Sequence, residues 1–136
     1  MRLRGRSGPI GLAAAATTAL CAVSAAAVVL STGPAAADSS ECTPSGCAGL
    51  AKFVSYGEHL WVYDKLADGH SAVALYWLQG GNGPFRIWDS NGAGTSVDGN
   101  LDLPEGTWIF YQVCLGESGT GTIVAGTCSA GVTDYA

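Results

Sequence analysis

The chain has 136 residues and a formal net charge of −5. Its 11 acidic residues all lie after position 37, where only three of the six basic residues occur, so residues 38–136 carry a net charge of −8. An acidic surface repels phosphate backbones and anionic lipids, which argues against nucleic acids and membrane surfaces as partners. These 99 residues are enough for one domain with one core.

Residues 1–37 have the pattern of a secretory signal peptide. Three arginines fall within the first six residues, an uncharged run follows at 10–30, and Ala35, Ala36 and Ala37 supply the small side chains of a cleavage site. We therefore expect cleavage after Ala37 and an extracellular location. The alternative is a retained anchor, because 21 uncharged residues are long enough to span a bilayer. The alanine-rich, weakly apolar composition of the run favours the signal peptide.

The cysteine pattern predicts two disulfide bonds. Cys21 lies in the leader, which leaves an even set of four: Cys42, Cys47, Cys114 and Cys128. Outside the cell these thiols should be oxidised, and four cysteines allow three connectivities. We favour Cys42–Cys47, whose intervening residues can form a turn, and Cys114–Cys128, which encloses a glycine-rich segment. Zinc is disfavoured because neither spacing matches a zinc ribbon, so we expect no metal and no other cofactor.

In chain order, short aliphatic and aromatic segments separated by glycine-rich turns predict an all-β chain. Residues 38–57 are expected to be an irregular N-terminal segment that contains the first disulfide loop and a short edge strand at 50–56. Predicted strands follow at residues 59–65, 71–78, 85–89, 95–103, 107–115 and 122–129. We expect the Asp68-Gly69 turn to join the first two of these as a hairpin, and the last three residues to be loose.

This spacing predicts a small antiparallel β-sandwich, or a partly open barrel, of about six or seven strands over residues 58–136. Both alternating faces of residues 107–115 are apolar, as in a central strand. The two faces of residues 59–65 differ, because one mixes aromatic with charged side chains and is therefore expected to face solvent. That mixed face consists of His59, Trp61, Tyr63 and Lys65, and the opposite face of Leu60, Val62 and Asp64.

The candidate binding residues are aromatic. Trp61, Tyr63 and Trp88, with Tyr76, would form a platform on a sheet face that stacks on sugar rings, and exposed aromatic side chains are costly unless they are used. The alternative is that these rings fill a small core or form cross-strand pairs.

A candidate polar cluster, Asp64, Asp68 and His70, surrounds the first predicted turn, close in sequence to His59. An imidazole beside a carboxylate is suited to acid–base chemistry or metal binding. The alternative is a structural role, because an Asp before Gly stabilises a turn for backbone reasons.

The remaining motifs do not support catalysis or a metal site. Residues 89–94 begin like a calcium loop, but Asn100 stands where such a loop needs a bidentate Glu, so we predict a turn. The chain has no Gly-x-Ser-x-Gly motif, and its four cysteines after position 37 are assigned to disulfides. We therefore assign no catalytic residue.

Part of the sequence resembles a group of small, largely uncharacterised, secreted actinobacterial proteins. The matching residues are Val62-Tyr63-Asp64-Lys65-Leu66-Ala67-Asp68-Gly69-His70-Ser71-Ala72, then Trp88, Asn91-Gly92-Ala93-Gly94-Thr95 and Pro104-Glu105-Gly106-Thr107 before Cys114. The resemblance covers about residues 62–128 and implies secretion and a compact β domain. It implies no functional residue.

These observations predict a secreted, monomeric, non-enzymatic module that binds an extracellular polysaccharide or a protein partner. Two other hypotheses stay open: an inhibitor of an extracellular hydrolase that presents residues 116–126, and a small hydrolase that uses His59 or His70 with a carboxylate. Coplanar, exposed Trp61 and Trp88 would favour sugar binding, and an extended 116–126 loop would favour inhibition. A hydrogen bond from His70 to Asp64 or Asp68 inside a cleft would favour catalysis.

Expression of the full chain in a secreting bacterial host should release a protein whose N-terminus is Asp38, as N-terminal sequencing would establish. Ala37→Leu should block cleavage, because signal peptidase requires a small residue at this position. Ala36→Leu is the matched control and should be cleaved normally, because the middle position of the site is not restricted in this way. A membrane-bound protein with an intact leader would contradict the prediction.

Overall fold

A computed structural model describes residues 38–136; the predicted signal peptide and Cys21 lie outside the described residues. The described chain contains no helix, and so none that could cross a membrane. Its nine strands are β1 (Ser39–Cys42), β2 (Gly49–Val54), β3 (His59–Asp64), β4 (Ser71–Leu78), β5 (Asn82–Asp89), β6 (Thr95–Asn100), β7 (Trp108–Glu117), β8 (Thr122–Ile123) and β9 (Val132–Tyr135). The predicted all-β fold is confirmed.

The strands form two antiparallel sheets that pack face to face as a β-sandwich. The first sheet has the order β1-β2-β3-β6, and the second has the order β5-β4-β7. Both β8 and β9 lie on the far edge of β7, where β8 pairs with its end and β9 with its beginning. The chain crosses between the sheets after β3, after β5 and after β6.

The core lies between the sheets and follows the period-two alternation of the strands. Alternate residues of four strands form it: Ala51 and Phe53 of β2, Leu60 and Val62 of β3, Ala72 and Ala74 of β4, and Ile109, Tyr111 and Val113 of β7. Tyr111 is the largest of these, and its hydroxyl group forms a 2.8 Å hydrogen bond with the Ser39 hydroxyl of β1. Burial raises the pKa of Tyr111 to about 12.

A second apolar cluster covers the outer face of the second sheet. Val73, Leu75 and Cys114 form its buried centre, and Trp77, Trp88, Ile123 and Cys128 pack around them. Gly116 leaves room for Trp88, because a Cβ atom at this position would lie 2.8 Å from the indole ring. The two apolar faces predicted for residues 107–115 therefore correspond to two clusters, one on each side of β7.

The far edge of β7 is covered by an interrupted strand. Between β8 and β9, hydroxyl oxygens take the place of backbone acceptors: Ser129 Oγ accepts from the Val113 N–H at 3.1 Å, and Thr127 Oγ1 accepts from the Leu115 N–H at 3.0 Å. The Cys114–Cys128 disulfide lies in this interruption, and Cys42–Cys47 closes the loop between β1 and β2. Both predicted disulfides are confirmed.

Three local expectations differ from the structure. Residues 38–57 are less irregular than expected: the strand expected at 50–56 is present as β2, but β1 pairs with it on its other side, so β2 is not an edge strand. The Asp68-Gly69 turn does not close a hairpin, because β3 and β4 belong to different sheets. The six-residue connection 65–70 is long enough to cross the roughly 10 Å between facing sheets. The C-terminal residues are not loose, since β9 pairs with β7 and buries Asp134. Of the strand expected at 122–129 only β8 is present, and the two strands that were not predicted, β1 and β9, bring the total to nine.

Replacement of Cys114 and Cys128 together by alanine should lower the free energy of unfolding by about 3 kcal/mol, because closing a loop of about 15 residues has this entropic effect. The matched variant with alanine at Cys42 and Cys47 opens a much shorter loop and should lose about 2 kcal/mol. Urea unfolding followed by tryptophan fluorescence measures both losses. A larger loss from the Cys42 and Cys47 pair would contradict this ranking.

Candidate functional site

Three aromatic rings form a row on the outer face of the first sheet. His59, Trp61 and Tyr63 alternate along β3 with the buried Leu60 and Val62, so they leave the sheet on the side away from the core. The ring centroids of His59 and Trp61 are 6.3 Å apart and those of Trp61 and Tyr63 are 6.4 Å apart, with interplanar angles of 29° in both pairs. We call these three side chains the aromatic row.

Polar side chains border the aromatic row on the neighbouring strands. In register with Trp61 lie Lys52 of β2 on one side and Asp98 of β6 on the other. Ser96 and Asn100 occupy the positions of β6 that pair with the two ends of the row, and all three of these β6 residues are exposed. The row is therefore a half-buried aromatic strip with hydrogen-bonding groups along its edges.

Two contacts fix the orientation of the His59 ring. Its Nδ1 lies 2.8 Å from each carboxylate oxygen of Asp98, and each of the two side chains keeps 31% of its surface exposed. On the other side the ring packs over Gly57, where a Cβ atom would lie 3.0 Å from the imidazole Cδ2. The carboxylate and the glycine together hold this ring in line with Trp61.

The other aromatic residues of the predicted platform lie elsewhere. Trp88 belongs to β5 and packs in the cluster on the outer face of the second sheet, over Gly116. Tyr76 packs against the core between the sheets, and its ring centroid lies 5.3 Å from that of Phe85. The structure therefore brings Trp61 and Tyr63 together, adds His59 to them, and places Trp88 on the opposite side of the sandwich.

Two of the three residues of the predicted polar cluster, Asp64 and His70, line a cavity of about 360 Å³. The connections after β3 and after β5 form the walls of this cavity, and Asp68 is not part of its lining. Asp68 accepts a 3.0 Å hydrogen bond from the His70 backbone N–H. The His70 imidazole does not pair with either aspartate, because its Nδ1 lies 2.6 Å from Oε1 of Glu117. This partner is 47 residues away in the chain and was not predicted from the sequence.

Asp64 is the buried acid of this cavity. The residue is 3% exposed, and its Oδ1 has no hydrogen-bond partner within residues 38–136. Burial raises the pKa of the Asp64 carboxyl group above its ordinary value of 3.8, and the neighbouring carboxylates of Asp68 and Asp89 raise it further. A hydrogen bond from the Leu66 backbone acts in the opposite direction.

Asp89 is a second buried acid, which the sequence indicated only as the first residue of a calcium-like loop. Its carboxylate accepts hydrogen bonds from the Asp64 backbone N–H at 3.0 Å and from the Thr95 hydroxyl group at 2.8 Å. The Asn91 backbone N–H donates a third bond at 3.3 Å. Asp89 therefore ties the end of β3 to the connection after β5. Among residues 38–136, no three His, Cys, Asp or Glu side chains are grouped to hold a metal ion.

Residues 116–126, considered above as an inhibitory loop, begin with a tight hairpin. β7 and β8 pair through Gly116 and Glu117, and the Gly121 N–H donates to the Glu117 carbonyl oxygen at 2.8 Å. Arg86 of β5 holds the hairpin from the side, because its Nη1 donates to the Gly121 carbonyl oxygen at 2.8 Å. The segment does not have the extended form that would favour inhibition.

The fold and the site define a small, disulfide-bonded β-sandwich with an aromatic row on one outer face and an acidic cavity at the end of β3. Comparison with protein-family models, with curated proteins and with solved structures gives no match.

Asp64→Asn should raise the melting temperature at pH 7, because it removes an unpaired buried charge. Since the folded state binds the Asp64 proton more tightly than the unfolded state, the wild type gains stability as the pH falls through the raised pKa towards 3.8. The advantage of the variant should therefore shrink between pH 7 and pH 4. Melting curves at several pH values measure it, with Asp102→Asn, at an exposed carboxylate, as the control. A variant that is less stable at pH 7 would contradict the prediction.

Proposed function

We propose that the protein is a secreted polysaccharide-binding module and that the aromatic row is its binding surface. The observation that carries the proposal is the alignment of His59, Trp61 and Tyr63 on one exposed sheet face, with nearly equal ring spacings of 6.3 and 6.4 Å. A row of this kind suits an extended polymer whose successive sugar rings present flat, apolar C–H faces to aromatic rings.

The rigidity of the row supports this proposal. The three side chains project from the middle of a four-stranded sheet, since β3 pairs with β2 on one edge and with β6 on the other. Asp98 and Gly57 hold the first ring in place. A surface that is already arranged before binding loses little conformational entropy when the ligand arrives, so more of the contact energy appears as affinity.

The polar border supports a sugar ligand over a purely apolar one. Lys52, Ser96, Asp98 and Asn100 supply donors and acceptors on both sides of the rings. Sugar hydroxyl groups at the edge of a stacked ring need such partners, because a polar group removed from water without one is costly. The acidic net charge of residues 38–136 favours neutral or cationic polysaccharides over sulfated or uronic-acid polymers.

The extracellular location is part of this proposal. It is supported by the signal-peptide pattern of residues 1–37 and by two disulfides, which persist in oxidising compartments. Polysaccharides of cell walls and of the surroundings are the abundant polymers there.

Pull-down on insoluble cellulose, chitin and purified peptidoglycan should retain the protein on at least one of these polymers. Trp61→Ala and Tyr63→Ala should each weaken binding at least about fivefold, because an aromatic contact contributes about 1 kcal/mol beyond the area it buries. Trp108→Ala is the matched control, because Trp108 is a half-buried tryptophan on the outer face of the second sheet, and it should bind normally. The proposal fails if no polymer retains the wild type, or if Trp61→Ala binds as the wild type does.

A further inference from the structure

The cavity at the end of β3 is separate from the aromatic row, because none of the three row residues lines it. Its volume of about 360 Å³ is enough for a small organic group, and pockets of this size commonly bind small molecules. Asp64 ends β3 and turns inward, whereas Tyr63 beside it turns outward. Strand β3 therefore contributes its outer face to the aromatic row and the last residue of its inner face to the cavity.

The cavity is unusual because its lining includes a buried carboxyl group, that of Asp64, which has no positively charged partner. Asp64 is 3% exposed, and its Oδ1 has no hydrogen-bond partner among the described residues. The ion pairs of residues 38–136 join His59 to Asp98 and His70 to Glu117, and neither includes Asp64. A buried carboxylate without a counter-charge is costly, because one backbone hydrogen bond, from Leu66, does not replace the water that the charge has lost.

The cations of residues 38–136 are placed away from this carboxylate. Lys65, next to Asp64 in sequence, directs its Nζ to within 3.9 Å of Cys47 Sγ. Arg86 donates to the Gly121 carbonyl oxygen, and Lys52 lies beside Trp61 on the other side of the sheet. None of these three side chains is paired with Asp64, and the imidazole of His70, which also lines the cavity, is paired with Glu117.

We infer that this cavity binds a primary ammonium group, carried by an amino sugar or by an alkylamine such as a lysine side chain. The ammonium group would donate to Asp64, and the lining residues Ser71 and Ser90 carry carbonyl and hydroxyl oxygens that can accept its remaining N–H groups. Leu66 and Ala93 provide apolar contacts for the carbon atoms that carry the amine.

A bare metal ion fits the cavity less well than an ammonium group. The described residues contain no group of three ionisable ligands around one point, and hard cations such as Ca²⁺ take six to eight oxygen ligands. An ammonium group needs only three acceptors, and a single carboxylate balances its charge. The ligand inferred from the cavity is thus a monovalent organic cation.

The test uses the oxidised protein expressed from the full chain, titrated by calorimetry at pH 7 with glucosamine, N-acetylglucosamine and n-butylammonium. Glucosamine or butylammonium should bind, whereas N-acetylglucosamine should not, because acetylation removes the positive charge from the same sugar. Tighter binding of glucosamine assigns the site to amino sugars, and tighter binding of butylammonium assigns it to lysine-like amines.

Asp64→Asn should lower the affinity for the bound amine at least about tenfold, because a charge-assisted hydrogen bond is lost. Asp102→Asn makes the same change of net charge at an exposed position between β6 and β7 and should alter the affinity less than about twofold, since surface charges interact weakly. Trp61→Ala should leave amine binding unchanged, which separates this site from the polysaccharide surface.

Amide chemical shifts of the wild type provide a second measurement that needs no variant. Added amine should shift the signals of residues 64–71 and 90–94 and leave those of 59–63 in place. The inference is wrong if no amine binds, if N-acetylglucosamine binds equally well, if Asp64→Asn binds like the wild type, or if the shifts lie outside these two segments.

Discussion

Strand β7 must be covered on both faces and along both edges, and the rest of the sandwich is arranged around this requirement. Its inner face contributes Ile109, Tyr111 and Val113 to the core between the sheets, and Cys114 on its outer face lies under the second cluster. One edge pairs with β4 over eight residues. The other edge has only the broken segment of β8 and β9, completed by two hydroxyl groups and a disulfide.

The features that the sequence predicted correctly are those that depend on residues close together in the chain. They are the alternation of buried and solvent-facing side chains along β3, the all-β class and both disulfides. The assignment of β3 and β4 to different sheets, and of Trp88 and Trp61 to opposite sides, depends on packing that no turn motif encodes. The role of Asp89 as a buried hydrogen-bond acceptor was not predicted, because donors such as the Asp64 N–H are brought to its carboxylate only by the fold.

Both proposed binding regions depend on one strand of six residues. Alternate side chains of β3 turn to solvent as the aromatic row, and those between them enter the core until the strand ends at Asp64. A change of register by one residue would exchange the two sets and remove both regions at once. Pairing along both edges of β3, with β2 and with β6, fixes this register.

The two disulfides are both short-range, and within residues 38–136 neither joins the first sheet to the second. The first strand of the described residues, β1, lies in one sheet, and the last strand, β9, lies in the other. Tension applied between β1 and β9 would therefore be borne by strand pairing and core packing. Only the two loops that the disulfides enclose would be shielded from extension.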